Sequence, residues 1–353
     1  MSLSPFDHPI LSGLFGDPEL AGFLSAEADV AAMVAFETAL AAAQAECGVI
    51  PAQAAQAIER LTSDFVVDMA GLRAGLGRDG VVAPELVKQM RAGLEGEAAK
   101  AVHFGATSQD VMDTSLVLRL KSVAAVLGAR IEGLEGALEG LAQRFGQRRL
   151  MARTRMQDAL EIRVADRLAD WRAPLGRHRA RLGEIETRLL VVQYGGAVGT
   201  LDKLGADGPK VARALARRLG LGIAEKSWHN QRDGLVEFAG WLALVTGSLG
   251  KIGQDVALMA QNAMGDIALA GGGGSSAMPH KSNPVAAEVL VSLARYTAGA
   301  SGTMAQALVH EQERSGAAWT LEWLVLPQMI MATGSALLLA QRLLDSVESM
   351  GTD

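Results

Sequence analysis

From Leu116 onward, apolar side chains recur at steps of three and four: Leu116, Leu120, Val123, Leu127, Ile131, Leu134, Leu138 and Leu141. That spacing is the period of an α-helix with one apolar face. With its approach from Val111 the pattern holds for about thirty residues, a rise of about 45 Å. Isolated helices are marginal in water, so one this long needs neighbours along most of its length. Similar stretches run from about 161 to 191, 232 to 264, 285 to 309 and 321 to 344. Several such helices in one chain pack as an antiparallel bundle, so the expected fold class is all-α around a long central bundle. Gly133, Gly136, Gly247 and Gly250 interrupt the pattern and cost helix propensity. Close approach of helices, within or between subunits, would explain them. Aromatic residues are only 4% of the chain, and no β-type alternating segment stands out.

Residues 1–105 read as shorter helices broken by turns. A helix from Asp29 to Glu46 stops at Gly48, Pro51 opens another through Leu61, and Pro84 opens a third through Met90. The expected organisation is a small N-terminal helical domain over 1–105 and the bundle over 106–353, with a C-terminal third domain absent or reduced. The net charge of −6 argues against a general nucleic-acid binder. No apolar run has the length and purity of a membrane span, and no basic and apolar leader opens the chain. A single cysteine, Cys47, excludes an internal disulfide and fits a reducing compartment. The expectation is a cytoplasmic protein with neither nucleic acid nor membrane as partner.

The chemistry concentrates in Gly271-Gly272-Gly273-Gly274-Ser275-Ser276-Ala277-Met278-Pro279-His280-Lys281-Ser282-Asn283-Pro284. Four glycines alone would be a linker, but two hydroxyls and a proline-stiffened turn bearing Lys281 and Asn283 follow. Such a loop can bring a small proton-transfer residue and a cation onto a bound substrate, where the lysine meets developing negative charge. Gly-Lys-Ser/Thr is missing, no strand precedes a dinucleotide fingerprint, and the six histidines show no metal spacing. Neither nucleotide cofactor nor metal is expected.

The run Gly-Ser-Ser-x-Met-Pro-x-Lys-x-Asn resembles the signature of the fumarase/aspartase superfamily at all ten positions from Gly274 to Asn283. The resemblance implies Ser275 as the proton-transfer residue, with Ser276 and Met278 beside it and Lys281 and Asn283 on the adjacent carboxylate. A second stretch, His103-Phe104-Gly105-Ala106-Thr107-Ser108-Gln109-Asp110, stands before the first long helix. On its residues alone it is an N-cap followed by an acidic first turn. It also resembles the superfamily block whose Thr-Ser pair binds a carboxylate, which implies His103, Thr107, Ser108 and Gln109. Thr154, Gln157 and Ala159 match a further block, with Arg155 where fumarases and adenylosuccinate lyases carry histidine and Glu161 in place of a proline.

Trp228-His229-Asn230-Gln231-Arg232-Asp233 and His310-Glu311-Gln312-Glu313-Arg314 resemble segments of the superfamily's carboxymuconate cycloisomerase branch. They imply His229, Arg232 and Arg314 as substrate ligands, although a charge run such as 311–314 is otherwise a solvated face. The resemblance implies no cofactor, a small tricarboxylate substrate and a homotetramer with shared active sites. The alternatives are a fumarate-releasing lyase of the adenylosuccinate type and an inactive helical scaffold. Arg155 favours cycloisomerisation. A carboxylate leaving group, with a pKa of about 4, departs without a proton, whereas an amine or hydroxide benefits from an acid.

Overall fold

The computed structural model describes residues 4–274, 278 and 281–353. Seven helices lead in: α1 (Ser12–Phe15), α2 (Pro18–Phe23), α3 (Ala26–Glu46), α4 (Ala52–Ser63), α5 (Met69–Asp79), α6 (Ala83–Ala92) and α7 (Gly96–Ala101). The long helices follow: α8 (Ser108–Phe145), α9 (Val164–Leu189), α11 (Asp233–Met259), α12 (Val285–Gln306) and α13 (Gly316–Asp345), with a shorter α10 (Gly208–Leu219) between α9 and α11. The period-based expectation of an all-α fold with a long central bundle is met. The apolar stripe of α8 is buried from Val117 to Leu141, and α8 packs against α3, α9 and α13 while α11 packs on α9, α12 and α13. Buried residues of α3, among them Phe36 and Leu40, join the same continuous core as the bundle.

The glycines divide by position. At Gly250 a Cβ would stand 2.5 Å from the Ala294 Cβ, and at Gly253 one would stand 2.5 Å from the Ala287 carbonyl. Glycine there lets α11 and α12 approach closely. Gly136 and Gly247 face open space in the protomer, and Leu244, one turn before Gly247, is 51% exposed.

Two expectations are corrected. The segment near 161 is not helical: β1 (Arg149–Thr154) and β2 (Gln157–Arg163) form an antiparallel hairpin with Thr154 opposite Gln157, and α9 starts only at Val164. The pairing was hidden because its turn, Arg155-Met156, carries neither glycine nor asparagine although both residues have positive φ, 49° and 67°; such turns normally take Asn-Gly. Second, α11 and α13 are by length and composition apolar enough to cross a membrane. More than half of the apolar part of each is buried inside the fold, and a core helix passes the same test.

Small two-stranded pairings finish the ends. β3 (Val191–Val192) runs parallel to β4 (Gly222–Ile223), and β5 (Ile267–Leu269) pairs with β8 (Val347–Met350). β6 (Gly273–Gly274) pairs with β7 (Ser282–Asn283), closing the base of the glycine-rich loop. A Cβ at Gly273 would stand 2.5 Å from Val285 Cγ2, so glycine is needed at this crossing.

Candidate active site

The N-terminus of α8 is built around one carboxylate. Thr107 is the extended N-cap, and Asp110 in the first turn completes a capping box, as the residues alone suggest. Asp110 Oδ2 accepts from the Thr107 N–H at 3.0 Å and the Gly196 N–H at 2.9 Å. Its Oδ1 accepts from the Gly195 N–H at 2.9 Å and from His229 Nε2 at 2.8 Å. A fully buried aspartate with four donors is satisfied, and it ties α8, the 195–196 turn and the approach to α11 into one rigid end.

Three residues expected as substrate ligands make hydrogen bonds within this scaffold. Gln109 is buried, and its amide donates to the His229 carbonyl at 2.9 Å. His229 is 2% exposed and spends Nε2 on Asp110. Arg232 has a side chain that is 0% exposed and forks onto two carboxylates of its own chain. Nη1 and Nη2 donate to Asp113 at 2.6 and 2.9 Å, while Nε and Nη2 donate to Glu322 at 2.7 and 2.6 Å. Trp319 Nε1 donates to Asp113 Oδ1 at 3.0 Å, and the guanidinium lies over the Trp228 ring at 4.7 Å. Burial disfavours the Arg232 charge, but Asp113 and Glu322 more than offset this and raise its pKa; burial pushes Glu322 up despite Arg232. Four of the five guanidinium N–H groups meet these carboxylates and Nη1 also reaches the Trp228 carbonyl at 3.5 Å, so the fork that the sequence suggests for a substrate carboxylate is occupied from within.

What remains open at this end is His103, Thr107, Ser108 and Arg314. Arg314 is exposed, donating Nη1 to Thr107 Oγ1 at 3.0 Å and Nη2 to the Ala197 carbonyl at 2.7 Å. The free N–H groups of a 38-residue helix add their own preference for an anion. The charge run 311–314 is solvated except at its neighbour His310, whose side chain is fully buried, 3.7 Å from Glu322. Burial and the Arg232 charge lower the His310 pKa.

The other expected residues stand elsewhere. Thr154, Arg155 and Gln157 form the exposed tip of the β1–β2 hairpin, where Met156 and Leu160 are 74% and 76% exposed. The hairpin follows the far end of α8 and is pinned there by Arg153 to Asp266, just beyond α11. Met278 and Lys281 are exposed and Asn283 is half-buried, all shortly before α12. Ser275 and Ser276 lie outside the described residues. The 38 residues of α8 span about 57 Å and the 22 of α12 about 33 Å. One protomer therefore holds Thr107 and Arg314 at one end of the bundle, and the hairpin tip with Lys281 at the other.

Sequence reading gives no role to Glu37, Asp113 or Glu322, although Glu322 lies in Trp319-Thr320-Leu321-Glu322-Trp323, a segment that also resembles the cycloisomerase branch. Each is an acidic residue on a buried helical stripe, Asp113 one turn after Asp110, and Glu37 following Val30 and Met33 at the apolar step and preceding Leu40 and Gln44. A carboxylate in such a stripe needs a partner, and that was the available signal.

A family described as lyase matches residues 7–299. The chain is 44% identical over 323 residues to a 3-carboxy-cis,cis-muconate cycloisomerase of Pseudomonas aeruginosa, covering 90% of this chain and 70% of that protein. It is 37% identical to the protein of the same description in Acinetobacter baylyi, with 97% and 77% covered. The crystal structure of 3-carboxy-cis,cis-muconate lactonizing enzyme from Pseudomonas putida superposes with a TM-score of 0.90 at 38% identity, covering 97% of this chain and 77% of that one.

Proposed function

The chain belongs to the lyase family of the fumarase/aspartase superfamily, and from that premise we propose that it converts 3-carboxy-cis,cis-muconate into 4-carboxymuconolactone. The observation that carries the reading is the 44% identity over nine-tenths of the chain to a protein of that activity, joined to an intact Ser-Ser-x-Met-Pro-x-Lys-x-Asn loop.

One carboxylate of the substrate adds through oxygen to a carbon of the neighbouring double bond. The electron pair moves onto the adjacent carboxylate as an aci-carboxylate, and a proton then joins carbon. A trianion becomes a lactone dianion, so each turnover takes up one proton. Lys281 and Asn283 stabilise the aci-carboxylate, and Ser275 delivers the proton. His103, Thr107, Ser108 and Arg314 hold the remaining carboxylates, with Arg155 and Gln157 contributing from the hairpin. Gln109, His229 and Arg232 support this set from behind.

The ends of α8 and α12 are too far apart for one protomer to gather these residues, so the active form is a homo-oligomer, a tetramer in this reading, with each site shared between copies. The exposed Met156 and Leu160 of the hairpin and Leu244 beside Gly247 are apolar surface suited to contact between copies.

Purified protein should form lactone from 3-carboxy-cis,cis-muconate with uptake of one proton, and release no fumarate from adenylosuccinate. Fumarate release without lactonisation would overturn the assignment. Mixing two separately inactive variants, Ser275→Ala and Arg314→Ala, should restore part of the activity if sites are shared. A fully active monomer by light scattering would refute the sharing.

A further inference from the structure

Behind His103 at the open end stands a buried carboxylate to which no role has been given so far. Glu37, on α3, is 2% exposed, and its Oε1 stands 2.5 Å from His103 Nδ1. Its Oε2 has no hydrogen-bond partner among the described residues. His103 sits in the left-handed region at φ 61°, a conformation costing of order 1–3 kcal/mol that persists only when the surroundings over-determine it. Here they do. Arg91 Nη2 donates to the Val102 carbonyl at 2.9 Å, and Gln44 Nε2 donates to the Phe104 carbonyl at 2.6 Å, so the 102–103 peptide, directly before His103, and the 104–105 peptide, one residue beyond it, are held from α6 and α3. The His103 side chain is 15% exposed. With Nδ1 spent on Glu37, Nε2 is the nitrogen left for a ligand, on the turn that leads through Gly105 into Thr107.

We propose that Glu37 is a positioning residue that acts through His103. By accepting from Nδ1 it fixes the ring and presents Nε2–H as a charge-assisted donor to one carboxylate of the substrate. The proposal rests on the carboxylate-holding role given above to this end of the bundle. A carboxylate behind an imidazole fixes both its tautomer and its orientation, and a cationic donor binds a carboxylate about twice as strongly as a neutral one. The groups facing His103 are Glu37 from α3, Asp110 from α8 and Arg91 from α6. Burial alone disfavours the imidazolium, and Arg91 adds to that. Glu37, with help from Asp110, more than offsets both and raises the His103 pKa above its ordinary value. Asp110 has its four donors already, so Glu37 is the partner whose removal His103 should feel.

The test is Glu37→Gln, which keeps shape and removes charge, read in two ways. The first is the His103 titration in the intact protein labelled at histidine, its resonance assigned with His103→Gln among six histidines. In the wild type the midpoint should lie above about 6.5, and in Glu37→Gln it should fall by about one pH unit or more. The second is kinetics: KM for carboxymuconate at pH 8 should rise about tenfold, the equivalent of one pH unit, with kcat little changed and the defect shrinking at pH 6. Adding Glu37→Gln to His103→Gln should cost nothing further.

A wild-type midpoint below about 6.5 overturns the proposal even if the variant fails to fold. So does an equal loss at pH 6 and pH 8, or an additive double variant, either of which would make Glu37 merely structural. The titration needs no substrate. Wild type that does not lactonise while Glu37 still moves the His103 midpoint overturns the functional reading and leaves the dyad.

Discussion

Replacing Arg232 by methionine separates a scaffold residue from a substrate ligand. Its side chain is 0% exposed and those of Asp113 and Glu322 are 1% exposed, so the variant strands two buried carboxylates without their cation. Asp113 keeps donors from Trp319 Nε1 at 3.0 Å and Gln193 Nε2 at 3.5 Å; Glu322 keeps no hydrogen bond among the described residues, His310 Nε2 standing 3.7 Å away. Removing one partner of a buried ion pair costs about 3–5 kcal/mol. An independent bound agrees. A glutamate can escape the penalty by protonating, which from an unfolded pKa of about 4.3 costs about 4.4 kcal/mol at pH 7.5.

The sign of the pH dependence follows. In the variant the orphaned carboxyl has a folded pKa raised above its unfolded one, so the folded state holds the extra proton. The destabilisation then grows as pH rises above about 4.3 and shrinks as pH falls, to about 1.6 kcal/mol at pH 5.5. Urea unfolding followed by circular dichroism, at one fixed protein concentration because any association would shift the midpoint, should show both values. Adding Glu322→Gln should recover most of the loss at pH 7.5. An unchanged unfolding midpoint together with a raised KM would refute this account and return Arg232 to the substrate.

Ser275→Ala should lower kcat by about 10²–10⁴ with the fold intact, and Ser276→Ala should do less; the reverse order would exchange their roles. Arg155→Ala should raise KM for carboxymuconate and leave the shape of the pH profile alone, because a guanidinium stays protonated across the working range; a fall in kcat with a changed profile would give Arg155 an acid's role. His178 is 4% exposed, and burial, with Arg181 and Arg177, pushes its pKa down to about 4. The unfolded state therefore takes its proton first as pH falls. Stability should drop by about 3 kcal/mol between pH 6.5 and 4 on account of this residue, and His178→Gln should flatten that part of a urea-midpoint curve; an unaltered slope would exclude His178 as the cause.

The bundle was legible because a helix writes its period locally. The stripe from Leu116 to Leu141 needs no distant partner to be recognised, and Gly48, Pro51 and Pro84 punctuate the leading helices as they should. The hairpin was not, since strand pairing is non-local and the Arg155-Met156 turn holds positive φ without the residues that usually announce it. The candidate site was legible as a set of residue types and illegible as an arrangement. Arg232 reads from sequence as a cation at a helix mouth, equally fit for substrate or scaffold. What decides is its burial against Asp113 and Glu322, 119 and 90 residues away in the chain. Glu37 and His103 are likewise 66 residues apart, and nothing local joins them. The same non-locality bears on assembly. Helices of 38 and 22 residues hold the matched blocks at opposite ends of the bundle, and no rearrangement of loops spans such rods. If the matched blocks make one site, as proposed above, the rods that make the fold easy to read are also the physical reason for sharing it, because antiparallel packing of copies is the simplest way to bring one end of a bundle beside the other end of its neighbour.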